Sequence, residues 1–343
     1  MQAVRIHAHG GPEVLRYEDA PVPLPGPGEL RVRVRACALN HLDLWMRQGL
    51  PGRALPMPHI LGSDIAGEIE SLGSPLAGLH PGQRVMLQPG TSCGRCQACL
   101  SGEDNACRQY AILGAHLPGG YAELVVCPAA NAIPLPEGFS FQEAAAFPLV
   151  FLTAWHMLVT RARLRLGEDV LVWAAGSGVG MAAIQIAKLL GARVIATAGD
   201  KSKLELARSL GADEVLDHHH DDVVAAVRKW TGKKGVEVVV EHVGQATWER
   251  SILALAQRGR LVTCGATTGP TGMTELRYLF SKQLTLLGSY MGSKAELLEV
   301  ARFFFERRLR SVVHAVLPLR EARRAHELME ASAHFGKLVL VPE

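Results

Sequence analysis

Val170-Leu-Val-Trp-Ala-Ala-Gly-Ser-Gly-Val-Gly180 carries four apolar residues into a glycine-rich turn, and a helical pattern, Met181 to Leu190, follows and stops at Gly191. Strand, glycines and helix in that order let the backbone come close to a ligand. The helix start adds unpaired N–H groups and about half a positive charge, so the pyrophosphate of a dinucleotide can dock there. Gly176, Ser177, Gly178, Val179 and Gly180 are therefore the candidate pyrophosphate contacts. Ala175 and Ser177 stand at the first and middle positions of G-x-G-x-x-G, and Gly180 keeps the third.

Outward from this turn the same rhythm repeats. Val170 to Trp173, Arg193 to Thr197, Val236 to Val240 and Leu261 to Cys264 are short apolar runs alternating with helical stretches such as Lys203 to Leu210, which ends at Gly211. Such alternation predicts βαβ units around a parallel sheet. Before it, from Val4 to about Val126, β-rich runs such as Leu30-Arg-Val-Arg-Val-Arg-Ala and Ala122-Glu-Leu-Val-Val predict an antiparallel or mixed β domain. After Leu287 the rhythm stops, and a helix (Lys294 to Phe305), a β segment, a helix (Arg320 to Ala331) and Lys337-Leu-Val-Leu-Val close the chain. We assign this tail to the first domain. The expected α/β organisation is 1–150 with 290–343 as a β-rich domain, and 151–289 as a doubly wound parallel-sheet domain inserted into it.

Composition limits the function classes. With 343 residues, 48% hydrophobic and 20% charged, the chain is expected to form two moderate domains and not a disordered segment. A net charge of +3 without long single-sign blocks gives no electrostatic reason for a nucleic-acid or membrane partner. The start of the chain lacks a basic and then apolar segment, and the longest uncharged stretches are broken by Gly or Pro. A cytoplasmic protein acting on a small molecule is expected.

Four of the seven cysteines fall within fifteen residues, as Cys93, Cys96, Cys99 and Cys107, in the pattern C-x2-C-x2-C-x7-C. Four thiolates at such spacing can wrap one Zn2+ tetrahedrally, leaving no open position, so the lobe at 90–110 reads as a structural zinc site. Reduced thiols or an iron–sulfur cluster are the alternatives. Cys37, Cys127 and Cys264 are expected within strands as small buried hydrophobes.

The nucleotide's identity is read at the end of the next strand, where an acid would bind the ribose hydroxyls of NAD. That position is Ala198, followed by Gly199, Asp200, Lys201 and Lys203. Without the acid a 2′-phosphate is not repelled, and Lys201 or Lys203 can neutralise it, so the expectation favours NADP over NAD. A shift of one or two residues would bring Asp200 to the ribose and favour NAD.

The four-Cys lobe, Gly119-Gly-Tyr-Ala-Glu, the turn at Val170 to Gly180, Glu241-His-Val-Gly244, Gly259-Arg-Leu-Val-Thr-Cys-Gly265 and His334-Phe-Gly-Lys337 together resemble the medium-chain dehydrogenase/reductase superfamily, near the zinc alcohol dehydrogenases. The resemblance covers essentially the whole chain. It implies a GroES-like catalytic domain, a Rossmann domain, an active site in the cleft between them, and a homodimer or homotetramer. It also implies His41 near the pyrophosphate, Thr153 beside the nicotinamide and Val243-Gly244 along its ribose.

Where those alcohol dehydrogenases bind a second, catalytic zinc, this chain departs. Asn40, Ser63, Asp64 and Leu149 occupy the positions of the Cys, His, Glu and Cys ligands, and Leu42 and Trp45 replace the proton-relay residues. In these features the chain resembles the zinc-free quinone oxidoreductases. The expected function is an NAD(P)(H)-dependent oxidoreductase acting on a carbonyl or alcohol, an enone or a quinone, without catalytic zinc. Conjugated acceptors suit such a site because the charge left by hydride delocalises onto oxygen. Asn40 is the first candidate donor to that oxygen and Ser63 the second. Asp43 and Asp64 are expected to orient neighbours or pair with an Arg, and to donate a proton if burial raises their pKa. Two alternatives stand beside this: a zinc alcohol dehydrogenase with nonstandard ligands such as Asp64, His41 or His59, and a nucleotide-binding protein without turnover.

Overall fold

Glu29–Ala38 alternates apolar and charged residues, burying Leu30, Val32, Val34 and Ala36 while turning its arginines outward, and it becomes the strand on which the first unit is built. The computed structural model describes residues 1–50 and 55–343. These divide into Met1–Leu149 with Ser293–Phe305 and Arg310–Glu343, and Val150–Gly292 with Glu306–Leu309.

The first unit holds a seven-stranded sheet. Its order is Ala132–Pro134, Arg84–Leu87, Asp64–Leu72, Glu29–Ala38, Lys337–Val341 and Val313–Pro318, with Leu124–Pro128 also paired to Glu29–Ala38. Only the last two strands of that order run parallel to each other. On its polar face Arg31 and Arg33 meet Glu70, and Arg35 meets Glu68, so the charges that alternate along the sequence become cross-strand ion pairs. Arg33 and Arg35 are exposed, so their pairs add little to stability, whereas Arg31 and Glu70 are half-buried.

The second unit holds six strands, all parallel, in the order Glu214–Asp217, Arg193–Ala198, Asp169–Val172, Val236–Glu241, Leu255–Thr263, Thr285–Gly288. Numbered along the chain this is 3-2-1-4-5-6, the doubly wound order whose direction switches between the first and fourth strands. Leu171, Trp173, Ile195, Val239, Ile252 and Leu261 pack its buried core.

Several boundaries move from their sequence expectations for local reasons. The helix after the glycine turn spans Gly178–Leu189, because the Ser177 hydroxyl accepts from Gly180 N–H and starts it earlier. The next spans Lys201–Ser209, since Asp200 is its cap, and the last helix is Ala322–Glu330. The helix Lys294–Phe305 falls where expected. Cys37 and Cys127 are buried within strands, whereas Cys264 lies one residue past the strand Leu255–Thr263 and is only half-buried. Among the described residues no helix is long and apolar enough to cross a membrane.

Candidate active site

Strand register in the first unit assembles a buried polar triangle. Ala38 pairs with Asp64 on one side and with Val339 on the other. Continuing the second register by two residues sets Asn40 opposite Lys337. Lys337 Nζ then lies 2.6 Å from Asn40 Oδ1 and 3.0 Å from Asp64 Oδ2. Asn40 Nδ2 closes the triangle on Asp64 Oδ2 at 3.0 Å, and the backbone N–H of Leu149 donates to Asp64 Oδ1 at 2.8 Å. An ammonium only donates, so the amide atom facing Lys337 is the carbonyl oxygen, and Asn40 cannot be flipped. One Nδ2 hydrogen goes to Asp64. The other has no partner among the described residues.

The four candidate catalytic side chains differ in access. Asn40 keeps 5% of its surface, whereas Asp43, Ser63 and Asp64 keep none. Among the described residues Asp43 pairs with no arginine. Its Oδ2 accepts from Asn40 N–H at 2.8 Å and from the Tyr121 hydroxyl at 3.3 Å, and its Oδ1 accepts from Gly62 N–H at 3.1 Å. Burial pushes its carboxyl up to about 6, against the pull of those donors and of Lys337. Asp64 is paired with Lys337 and, among the described residues, with no arginine. The Ser63 hydroxyl is buried without a hydrogen-bond partner among the described residues. Gly62 has φ +97, and a Cβ there would lie 2.4 Å from the Tyr121 ring, so this turn can only be glycine.

His41 opens the helix His41–Gln48 and stacks edge-on to Trp45, with centroids 5.1 Å apart. His59 is buried with Nε2 on the carbonyl of Gly114 at 3.1 Å. Among the described residues, the set of three or more His, Cys, Asp or Glu side chains whose ligand atoms gather closely enough for a metal ion is Cys93, Cys96, Cys99 and Cys107. Their ligand atoms lie within 4.8 Å of one another, and none is in a disulfide. Tetrahedral zinc–sulfur bonds of about 2.3 Å place sulfurs about 3.8 Å apart, so the donor set fits zinc in both chemistry and size. Backbone N–H groups of Arg95 and Cys96 lower the Cys93 thiol to about 6, which favours the thiolate.

In the second unit the sheet's switch point is flanked by two turns. The first runs from Ala174, at φ 47, into the helix Gly178–Leu189. A Cβ on Gly180 would lie 2.3 Å from Ala174 O, so the third motif glycine lets helix and turn meet. The second turn holds Val243 and Gly244, whose N–H groups donate to Glu241 Oε1 at 2.6 and 3.0 Å. Hydroxyls of Thr247 and Ser251 take the other carboxylate oxygen. His242 Nε2 reaches Trp173 O at 3.0 Å and Ser177 Oγ at 3.3 Å, which ties the two turns together. Thr153 is buried in the helix Pro148–Trp155.

At the end of Arg193–Ala198, Asp200 Oδ1 accepts from Lys203 N–H at 3.0 Å and from the Ser202 hydroxyl at 2.6 Å, and Lys203 Nζ stands 3.5 Å from Oδ2. The serine hydroxyl holds this carboxyl below its ordinary value. Lys201 is exposed.

Sequence reasoning quoted Lys337, Tyr121 and Glu241 within motifs but assigned them no role, and it passed over Arg47 and His326. A lysine before an apolar strand and a histidine inside an amphipathic helix carry no local signal of burial. Glu241 could have been suspected, as an acid ending an otherwise apolar strand.

Residues 26–137 match the alcohol dehydrogenase GroES-like domain and residues 178–306 the zinc-binding dehydrogenase family. A quinone oxidoreductase of Pseudomonas aeruginosa is 36% identical over 349 residues, covering 99% of each chain. Among solved structures, an NAD-dependent alcohol dehydrogenase is 52% identical with a TM-score of 0.97, covering 99% of each chain. A cobalt- and zinc-bound thermostable alcohol dehydrogenase from Pyrobaculum aerophilum is 35% identical with a TM-score of 0.91, covering 100% of this chain and 99% of that one.

Proposed function

The chain belongs to the zinc-binding dehydrogenases of the medium-chain dehydrogenase/reductase superfamily and is an oxidoreductase, and from that premise we propose that it transfers hydride between NAD(P)(H) and a conjugated carbonyl, an enone or a quinone, without a catalytic zinc. The observation that carries this reading is the buried triangle of Asn40, Asp64 and Lys337. The nicotinamide, when bound, supplies or receives the hydride. Charge that develops on the acceptor oxygen takes the remaining Asn40 N–H, and the fixed ammonium of Lys337 sits 2.6 Å behind that amide. A preorganised donor of this kind contributes roughly 2.7–4 kcal/mol to the transition state, enough for an acceptor that already delocalises its charge.

A metal would need about three good ligands around an open position. Both Asp64 oxygens are occupied by donors, and Lys337 brings a positive charge to the same carboxylate. This supports hydride chemistry with organic side chains alone, with one zinc per chain held by Cys93, Cys96, Cys99 and Cys107.

For the nucleotide the proposal is NADP(H), supported by Ala198 at the ribose position and by exposed Lys201. NAD(H) is favoured by Asp200, whose ordered carboxylate caps the adjoining helix, and by the NAD-dependent neighbour. For assembly the proposal is a homodimer or homotetramer. It is supported by the end strand Thr285–Gly288 of the second sheet and by exposed Leu276, Phe280 and Tyr290 in the flanking segments. Seven unpaired cysteines favour the reducing cytoplasm.

The test is consumption of NADPH and NADH with a small enone, a small quinone and a small aldehyde, with and without a chelator, alongside metal content. Enone or quinone turnover with one zinc per chain supports the proposal. Two zincs per chain, with chelator-sensitive aldehyde turnover, would replace it by the zinc alcohol dehydrogenase. Nucleotide binding without any turnover would leave a binding protein.

A further inference from the structure

Behind Asp43 a line of buried side chains runs from the surface to the Asn40 turn. Glu330, partly exposed on the helix Ala322–Glu330, pairs with Arg47 Nη2 of the helix His41–Gln48. Arg47 is fully buried, and its Nη1 lies 3.2 Å from His326 Nδ1. His326 Nε2 lies 3.1 Å from the Tyr121 hydroxyl, which in turn lies 3.3 Å from Asp43 Oδ2. Tyr121 and His326 have no exposed surface.

The chemistry of the groups gives this line one direction. A guanidinium has only donors, so His326 Nδ1 must accept and the imidazole proton must sit on Nε2. Burial and the neighbouring Arg47 hold His326 down to about 3, so the ring is neutral and one tautomer is selected. Nε2–H then donates to the tyrosine oxygen, which turns the phenol proton onto Asp43. The carboxylate at the end accepts the backbone N–H groups of Asn40 and Gly62. Those two N–H groups belong to the residue that carries the free amide hydrogen and to the turn that leads into Ser63 and Asp64.

We propose that Arg47, His326 and Tyr121 are positioning residues: a one-way hydrogen-bond chain that locks Asp43 onto the Asn40 and Gly62 backbone and so aims the Asn40 amide. The effect on turnover rests on Asn40 being the donor to the acceptor oxygen, whereas the lock itself does not. The Tyr121 ring already packs against the Cα of Gly62, so removing only the hydroxyl leaves the packing in place.

Tyr121→Phe and His326→Leu in the full chain, with amide hydrogen exchange as the readout, test the lock. In Tyr121→Phe the amides of Asn40 and Gly62 exchange about tenfold faster, while those of Val34 and Ile69 in the same sheet do not change. The kcat for the best acceptor falls about tenfold, with the nucleotide KM unchanged. The same pattern in His326→Leu places the histidine in the chain. Unchanged exchange at Asn40 and Gly62, or acceleration across the whole sheet, overturns the proposal. Asn40→Ala separates the two readings. If it leaves kcat intact while Tyr121→Phe still speeds the two amides, the lock stands and the Asn40 donor role falls. If it abolishes turnover while exchange in Tyr121→Phe is unaltered, the lock alone falls.

Discussion

Lys337 and Asp64, 273 positions apart in the chain, form an ion pair of 3.0 Å with 2% and 0% of their side-chain surfaces exposed. The pair is buried from solvent, so each charge depends on the other and on the Asn40 amide between them. Two charges in so dry a place repay their desolvation only through good geometry.

Replacing one partner should therefore be costly. Lys337→Met leaves the Asp64 carboxylate buried without its counter-charge, and urea unfolding should report a loss of about 3–5 kcal/mol. Adding Asp64→Asn should restore much of that loss, because the orphaned charge disappears, while turnover stays low. If Lys337→Met unfolds like the native chain, the pair is not the buried brace described here.

Ser63 separates a donor from a bystander. Its hydroxyl is buried with no partner among the described residues, and an unsatisfied buried hydroxyl costs about 1–3 kcal/mol. Ser63→Ala should leave stability unchanged or raise it by up to about 1 kcal/mol, with kcat unchanged. A tenfold fall in kcat would instead make Ser63 a second hydrogen-bond donor to substrate.

Asp43 and His326 give opposite contributions to stability against pH. Asp43 rises from 3.8 to about 6 on folding, so its contribution is full below pH 3.8 and is lost as pH rises through 6. His326 falls from 6.5 to about 3, so its contribution is full above pH 6.5 and is lost as pH falls through 3. Between pH 4 and 6 the two slopes nearly cancel, each about 1.4 kcal/mol per pH unit. In His326→Asn, unfolding free energies at pH 4, 5 and 6 should rise toward acid relative to the native chain. Parallel curves for the two proteins would refute the assignment of the His326 shift.

Gly180→Ala tests the nucleotide turn. The added methyl would lie 2.3 Å from the Ala174 carbonyl oxygen, so helix and turn must part. Thermal unfolding should fall and NADPH binding by fluorescence should weaken at least tenfold, about 1.4 kcal/mol. Unchanged binding would mean that the turn does not hold the pyrophosphate.

The repeating β/α rhythm after Phe151 and the cysteine spacing were legible because their information is local. Val170 to Gly180 forms strand, turn and helix by neighbour-to-neighbour preferences, and the four cysteines lie within one short loop that brings their sulfurs within 4.8 Å. Helix starts were misjudged by two or three residues, because Ser177 and Asp200 cap through side chains whose role depends on loop conformation.

Asn40, Asp43, Ser63 and Asp64 could be named as a set from the sequence, but their separate tasks could not. Burial and partner decide those tasks, and both are set by long-range register. Ala38 opposite Asp64 and Val339 opposite Ala38 are pairings between strands far apart in the chain, and they carry Lys337 to Asn40. A one-residue slip would turn the strand's side chains to the opposite face. Tertiary structure alone likewise put Arg47, His326 and Tyr121 in line behind Asp43, since three residues from two helices and a loop share no pattern along the chain. What the residues can do chemically is written one by one in the sequence; which of them meet, out of reach of water, follows from strand pairing and packing.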